Sequence, residues 1–161
     1  MASSKTAVGY RLVSIRRVSA ALSGEGARLY GGRWNSPGRP VVYLGGSRAL
    51  AALELLVHLT TPGSREKPYV FMGMEVPTDG LQSLPKAALP GDWRISPPQR
   101  ETQALGDEWL ASENSLGLWV PSVIIPEESN LLLNPRHPAM SQLCLGEPSP
   151  FNFDMRLVTK V

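Results

Sequence analysis

Residues 30–59, YGGRWNSPGRPVVYLGGSRALAALELLVHL, are the stretch around which this chain is organised. They begin with a glycine-rich basic turn and continue into a short apolar strand at 41–44. A second glycine turn, Gly45-Gly46, leads into a predicted helix at 47–59 with Ser47 as its N-cap. The end of the strand carries Tyr43, eleven residues before Glu54. The spacing therefore predicts that strand and helix face one shared cavity.

The predicted helix is apolar on nearly all sides. At 100° per residue only Ser47, Glu54 and His58 share a narrow polar stripe. Such a helix is normally buried, so Glu54 and His58 are predicted to enter the interior or a cleft. An unpaired carboxylate there is costly, and perturbed carboxylates gather at active sites. The alternative for Glu54 is a purely structural pairing with an arginine. His58 is interpreted as a satisfied interior histidine rather than a residue that orients Glu54.

Length and composition indicate a single globular domain spanning residues 1–161. The hydrophobic fraction of 42% and charged fraction of 19% are ordinary for a soluble protein. The sequence holds no apolar run of membrane-spanning length and no signal-peptide core at its start. Cys144 is the single cysteine, which excludes an internal disulfide and a cysteine zinc site. These features predict a cytoplasmic protein.

Charge is distributed unevenly along the chain. Residues 1–50 contain eight basic side chains against Glu25 alone, whereas the remainder contains eight basic and thirteen acidic ones. The basic part is where an anionic ligand, phosphate-bearing or nucleic acid, would be expected to bind. A solvated basic face is the alternative.

The other predicted elements are short. Strands are predicted at 8–14, 69–76, 116–125, 130–134 and 151–158. A short helix capped by Thr102 is predicted at 102–112, and residues 23–32 and 77–98 are predicted to be irregular. Ser122 follows Pro121 and is expected to leave its strand and point at a ligand, or simply to lie in an irregular strand. Short strands mixed with two helices indicate an α+β fold.

The basic turn offers a candidate anion site. Glycines at 23–32 would let a backbone approach a ligand closely, but neither a P-loop nor a Rossmann pattern is present. Arg33 beside Trp34 would provide a phosphate clamp and a stacking plane together, although such pairs also occur in ordinary packing and Trp34 is more often a core residue. Only two histidines are present, with no acidic cluster near either, so no metal site is predicted.

Several segments together resemble the RES domain family. They are GGRWN, G.PVVYL..S.ALA.LE.LVHL, LP..W, TQ..GD.WL, VPSVI.P.E.N.LLNP.HP and F.FD.RL, and they cover residues 10–157 in the family's order. The resemblance lays the family's arginine, glutamate and serine on Arg33, Glu54 and Ser122, and a site tyrosine on Tyr43. The opening Tyr-Arg of the family falls on Tyr10 and Arg11, which makes Arg11 a further candidate.

The resemblance implies a function. RES proteins are toxins of bacterial toxin–antitoxin pairs, neutralised by an Xre-type helix-turn-helix antitoxin, with a single-domain fold like that of ADP-ribosyltransferases. Members consume NAD by hydrolysis or phosphorolysis, and at least one kind ADP-ribosylates a protein. It follows that NAD is the expected substrate and the antitoxin the expected partner. Direct nucleic acid binding, membrane association and a metal are not expected, and a homodimer is left open.

The residues fit that chemistry. Cleavage between nicotinamide and ribose passes through an oxocarbenium-like state. Glu54 is expected to stabilise the cation and to accept a hydrogen bond from a ribose hydroxyl. Arg33, aided by Arg11, is expected to bind the phosphate or the ribose. Tyr43 is expected to stack on nicotinamide, with Ser122 hydrogen-bonding near the same ring. Protein ADP-ribosylation is the second hypothesis, and a non-enzymatic basic module that binds nucleic acid through residues 1–50 is the third.

Overall fold

A computed structural model of the chain describes residues 5–158, and within that range it contains eight strands and four α-helices. In chain order they are β1 (Thr6–Ser14), α1 (Glu25–Tyr30), β2 (Val42–Gly45), α2 (Arg48–Leu56), β3 (Tyr69–Pro77), β4 (Leu81–Ser83), α3 (Arg100–Ser112), β5 (Gly117–Pro121), β6 (Ser129–Leu133), β7 (Cys144–Leu145), β8 (Ser149–Phe151) and α4 (Met155–Val158). Short 3₁₀ turns occupy several connections. The predicted α+β class is confirmed.

All eight strands belong to one mixed sheet, ordered β4-β5-β6-β2-β1-β3-β7, with β8 also pairing with β3. Every pairing is antiparallel except the parallel contact of β4 with β5. The long pair β1–β3 keeps register over nine residues, whereas β1 and β2 are paired only at Tyr10 and Gly45. β1 and β2 therefore share little of their length, and the sheet is weakly joined at its centre.

Apolar side chains cover both faces of the sheet. On one face α3 packs Trp109 and Leu110 against β5 and β6, and α2 packs against β1 and β3 beside Phe153. The opposite face is covered in part by Met140, in the 3₁₀ turn at Pro138–Gln142, and by Leu22. The core strands β2 and β6 alternate between the two faces, as expected for strands buried on both sides.

Helix α2 is shorter and more exposed than its sequence predicted. The cap is confirmed, because the Ser47 hydroxyl accepts a hydrogen bond from the Leu50 amide at 3.0 Å. The helix ends at Leu56, and only Leu50 and Ala51 in it are fully buried. The prediction that His58 is an interior residue is wrong, since His58 lies on the exposed turn after the helix. The physical reason is that α2 lies on one surface of the sheet, so its outer leucines are only partly covered.

Three further predictions are corrected. Residues 23–32 are not all loop, because α1 forms there and is supported by an ion pair between Arg28 and Glu25. Helix α3 begins two residues before Thr102 and is capped at Gln99; Thr102 instead is buried and donates its hydroxyl to the Gln99 carbonyl at 3.0 Å. The C-terminal strand is limited to β8 and is followed by α4, because Asp154 accepts the Arg156 amide and starts a helical turn.

Among residues 5–158, no helix combines the length and apolar character needed to cross a bilayer.

Helix α3 contacts the chain around Trp34 at a position where only glycine fits. A Cβ added to Gly106 would lie 1.7 Å from the Trp34 carbonyl oxygen, a main-chain atom that cannot move independently. We expect Gly106→Ala to lower the free energy of unfolding by about 3 kcal/mol or more, because the overpacked helix must shift away from the main chain at Trp34. Urea or thermal unfolding would measure this.

The matched control is Gly26→Ala in α1, where an added Cβ meets nothing within 4 Å. That change should be neutral or slightly stabilising, since it removes only unfolded-state freedom. Equal stability of the Gly106 and Gly26 variants would contradict the proposed close contact.

Candidate active site

The position of Glu54 depends on a close contact between α2 and the sheet. A Cβ at Gly45 would lie 2.6 Å from the Ala51 amide nitrogen, so the helix approaches β2 at a point where no side chain intervenes. Glu54 follows Ala51 by one turn and lies on the same side of the helix. On the sheet, Gly45 is opposite Asn130 of β6. The glycine therefore lets the half-buried Glu54 carboxylate reach the start of β6.

Two side chains hold one oxygen of this carboxylate. The Ser122 hydroxyl donates to Glu54 Oε1 at 2.8 Å, and Asn130 Nδ2 donates to the same atom at 2.6 Å. Ser122 is fully buried and accepts the amides of Ile124 and Ile125 at 3.1 and 3.2 Å. The strand predicted at 116–125 is shorter, because β5 ends at Pro121, and Ser122 lies just beyond it, which is the first of the two alternatives that the sequence left open. The structure thus brings Glu54 and Ser122 into direct contact.

Arg33 lies near this carboxylate without forming an ion pair with it. Its Nη1 donates to the carbonyls of Trp93 and Ile95 at 2.6 and 2.9 Å. Burial lowers the pKa of Arg33, and the negative charge of Glu54 acts in the opposite direction. The two groups are therefore near enough to interact electrostatically, although no hydrogen bond or ion pair joins them. Since the Nη1 protons are used, Nε and Nη2 remain to meet a ligand.

A shallow depression lies beside Arg33. It is lined by Gly91, Asp92, Trp93, Arg94, Ile95 and Val123. The Arg94 guanidinium donates to the Val123 carbonyl at 3.0 Å, which ties this segment to the residue after Ser122. Residues 77–98 were predicted to be irregular throughout, but they contain strand β4 at Leu81–Ser83, and only the later part, residues 91–95, lines this depression.

The Tyr43 side chain is fixed through its hydroxyl. It donates to Asn35 Oδ1 at 2.7 Å and accepts the Trp34 amide at 3.1 Å. Burial raises the pKa of Tyr43 well above its usual value, so the hydroxyl remains protonated and can donate. Tyr43 therefore connects β2 to the turn that carries Arg33.

We expect Tyr43→Phe to destabilise the fold by about 1–3 kcal/mol, because the buried Asn35 oxygen and Trp34 amide lose their partner. NAD turnover measured well below the melting temperature should be largely kept, since the ring remains. Tyr30→Phe, at a residue that is 84% exposed, is the control and should change neither quantity. Loss of turnover at unchanged stability in Tyr43→Phe would contradict this role for the hydroxyl.

Arg11 occupies a different position from the other candidates. Side chains alternate between the two faces of the sheet along β1. Tyr10 and Leu12 therefore point towards α2, and Arg11 points to the opposite face, which also carries Val13. Its Nη1 donates to the Tyr43 carbonyl at 3.1 Å, where β1 and β2 have separated. Burial lowers the pKa of Arg11, and its Nε has no partner among residues 5–158. The structure therefore joins Arg11 to the Tyr43 main chain and not directly to Glu54 or Ser122.

A comparison with protein families matches residues 9–154 to the RES domain. This chain belongs to the RES domain family. Relatives include a protein named Toxin Res from Yersinia enterocolitica, 43% identical over 150 residues, which are 92% of this chain and 97% of that protein. A Prs ADP-ribosylating toxin from Sphingobium is 41% identical over 142 residues, covering 86% of this chain and 88% of its own. A Toxin Res from Pseudomonas putida is 39% identical over 139 residues, which are 86% of this chain and 93% of that protein.

The RES fold also resembles a solved structure. A chain in the crystal structure of the M. tuberculosis MbcT–MbcA toxin–antitoxin complex superposes with a TM-score of 0.72. It is 23% identical and covers 92% of this chain and 86% of its own. At that identity the likeness establishes the shared fold alone.

Sequence reasoning missed three polar residues that shape the candidate site. Asn130 binds Glu54, and the signal for it was a polar residue opening the apolar strand 130–134. Asn35, fully buried, donates to the Ala27 and Arg39 carbonyls and shapes the turn after Arg33. Asp107 on α3 accepts hydrogen bonds from the Ser36 amide at 3.1 Å and from the Ser36 hydroxyl.

Proposed function

We propose that this chain is an NAD-consuming toxin that breaks the bond between nicotinamide and ribose, with water or phosphate as the acceptor. The observation that carries the proposal is the Glu54 carboxylate, which Ser122 and Asn130 hold on one oxygen and which lies near the Arg33 guanidinium without forming an ion pair with it. An oriented anion and a nearby cation that are not paired with each other suit a ligand that carries a sugar and a pyrophosphate together.

The reaction needs little from the protein beyond placement and charge. The C1′–N bond breaks, nicotinamide leaves neutral with the bonding electron pair, and positive charge develops on the ribose. A fixed carboxylate stabilises that charge in a partly buried setting, where its field is stronger than in water. The acceptor oxygen then bonds to C1′ and gives up its proton. No metal is assigned a step in this scheme.

Each candidate residue takes a role in the proposal. Glu54 stabilises the ribosyl cation, and its Oε2 accepts a hydrogen bond from a ribose hydroxyl. Arg33 binds the pyrophosphate or the ribose through the guanidinium nitrogens that do not hold the segment 93–95. Tyr43 stacks on nicotinamide, and Ser122 binds near the ring and steadies Glu54. Arg11 donates to the Tyr43 carbonyl, and through the strand that carries Tyr43 it aids Arg33 in NAD binding.

Transfer of ADP-ribose to a protein is the second candidate reaction. It is supported by the relative named Prs ADP-ribosylating toxin, which shares 41% identity over most of this chain. The same cation on the ribose would be captured by a protein side chain in place of water or phosphate. The residues proposed for bond cleavage would keep their roles.

The proposal includes a neutralising partner. The structural neighbour comes from a toxin–antitoxin complex, which supports an antitoxin for this chain, and we propose one of the Xre helix-turn-helix type. We further propose that residues 1–161 form a single RES domain that acts on NAD in the cytoplasm.

Mass spectrometry of the products made from NAD by the purified protein tests this function. Three reactions are compared: buffer alone, buffer with phosphate, and buffer with a cell extract as a source of protein acceptors. Nicotinamide with ADP-ribose, with ADP-ribose 1″-phosphate, or with ADP-ribosylated protein would identify water, phosphate or protein as the acceptor. Intact NAD in all three would overturn the proposal.

A further inference from the structure

The two donors that reach Glu54 both bind Oε1 and leave the other oxygen uncommitted. Ser122 accepts two backbone amides, so its single hydroxyl proton is directed to Glu54. Asn130 supplies the second donor at 2.6 Å. Oε2 accepts no hydrogen bond from residues 5–158. One side of the carboxylate is thus anchored in the protein, and the other side is available to a ligand.

Asn130 makes this contact at a cost. Its Oδ1 is buried and has no hydrogen-bond partner within the described part of the chain. Exchanging the amide nitrogen and oxygen would bring Oδ1 against the carboxylate oxygen, which is less favourable. A buried acceptor left unpaired lowers stability, and such local conflicts are expected at functional sites. The amide therefore faces Glu54 although its own oxygen goes unsatisfied.

Strand geometry holds Asn130 rigidly. Within β6 it is paired with Gly45 on one side and Val120 on the other. Asn130 lies two residues before Leu132, which is opposite Tyr43, so Asn130 and the Tyr43 ring share a face of the sheet. An amide on a central strand is a more precise support for a carboxylate than a residue on a loop.

We propose that Asn130 is a positioning residue for Glu54. With Ser122 it fixes Oε1 and turns Oε2 towards the ribose of a nicotinamide nucleotide. The inference rests on the proposed function for its substrate. The placement of the carboxylate is independent of what the substrate is.

Paired variants test the proposal through pH dependence. Asn130→Ala removes the donor, and kcat for NAD should fall about ten- to hundredfold with little change in KM. Asn130→Asp puts a second carboxyl at the same place. When the introduced carboxyl and Glu54 share one proton, the introduced carboxyl donates a hydrogen bond to Glu54 as the amide did. When both carboxyls are ionised, they repel each other.

The activity of Asn130→Asp relative to wild type should therefore fall as the pH rises from about 5 to about 8, whereas that of Asn130→Ala should be a constant fraction. Titratable groups on the segments around Glu54, among them Arg33, Tyr43, exposed His58 after its own helix and exposed Glu128 on the turn before β6, are the same in both variants. Asn152→Asp, at an exposed residue, makes the same chemical change elsewhere and should match wild type at every pH.

Two outcomes would overturn the positioning role. One is an Asn130→Asp to Asn130→Ala activity ratio that does not vary with pH. The other is a crystal structure of Asn130→Ala in which the Glu54 carboxylate keeps its orientation and its contact with Ser122. If the wild-type protein leaves NAD intact, the proposed function is overturned. The crystal structure of Asn130→Ala still decides the positioning role in that case. A displaced or disordered Glu54 carboxylate in that structure would support Asn130 as the positioning residue.

Discussion

Glu54→Gln is expected to lower the rate of NAD consumption by about a hundred- to a thousandfold, the usual effect of removing one electrostatic contact to a transition state. The glutamine amide has the shape of the carboxylate, and its oxygen can still accept from Ser122 and Asn130. The loss should therefore come from the missing negative charge opposite the ribosyl cation. Steady-state rates of nicotinamide release would measure it, with KM expected to change much less than kcat.

Glu108→Gln provides the matched control. Glu108 lies on the exposed side of α3 and makes no contact with the site. Its variant should keep the wild-type rate, and both variants should unfold within a few degrees of wild type. A Glu54→Gln protein that is folded and fully active would remove the basis for the proposed chemistry.

Arg33→Lys is expected to raise KM for NAD about ten- to hundredfold, which corresponds to the loss of charge-assisted hydrogen bonds to the ligand. The arginine uses Nη1 to hold the Trp93 and Ile95 carbonyls, and within residues 5–158 its Nε and Nη2 make no hydrogen bond, which leaves them for the proposed phosphate contact. A lysine has one nitrogen, which cannot hold both carbonyls and bind an anion with the same geometry. Arg33→Ala should lose more, because the segment 93–95 is released as well.

Arg136→Lys makes the same exchange at an exposed position and should leave KM unchanged. Isothermal titration of the Glu54→Gln background with NAD would separate binding from turnover. Equal NAD affinity with arginine and lysine at position 33 would contradict a direct ligand contact there.

The α+β class and most strands could be predicted because their signals are local. Apolar alternation located β1 and β3, and a capping serine located the start of α2. The exposure of His58 could not be predicted in the same way. A helix that is apolar on all sides is fully buried only if the fold supplies cover on all sides, and here the sheet covers one side.

The residues of the candidate site could likewise be predicted only in part. The resemblance to the RES pattern pointed to Glu54 and Ser122, which the structure brings within hydrogen-bonding distance. Asn130 was missed because its role depends on the strand pairing with Gly45 and on the close approach of α2. The hold of Arg33 on residues 93 and 95 was missed because sixty residues of chain separate the partners and no periodicity marks the segment 77–98.

In the proposed reaction Glu54 acts on the bond between nicotinamide and ribose, and NAD labelled in its nicotinamide ring tests this most directly. The purified protein should release one free nicotinamide for each NAD consumed, and Glu54→Gln should release almost none over the same time. Loss of NAD with the label still attached to ribose, as in cleavage at the pyrophosphate, would contradict the account, as would equal release by both proteins.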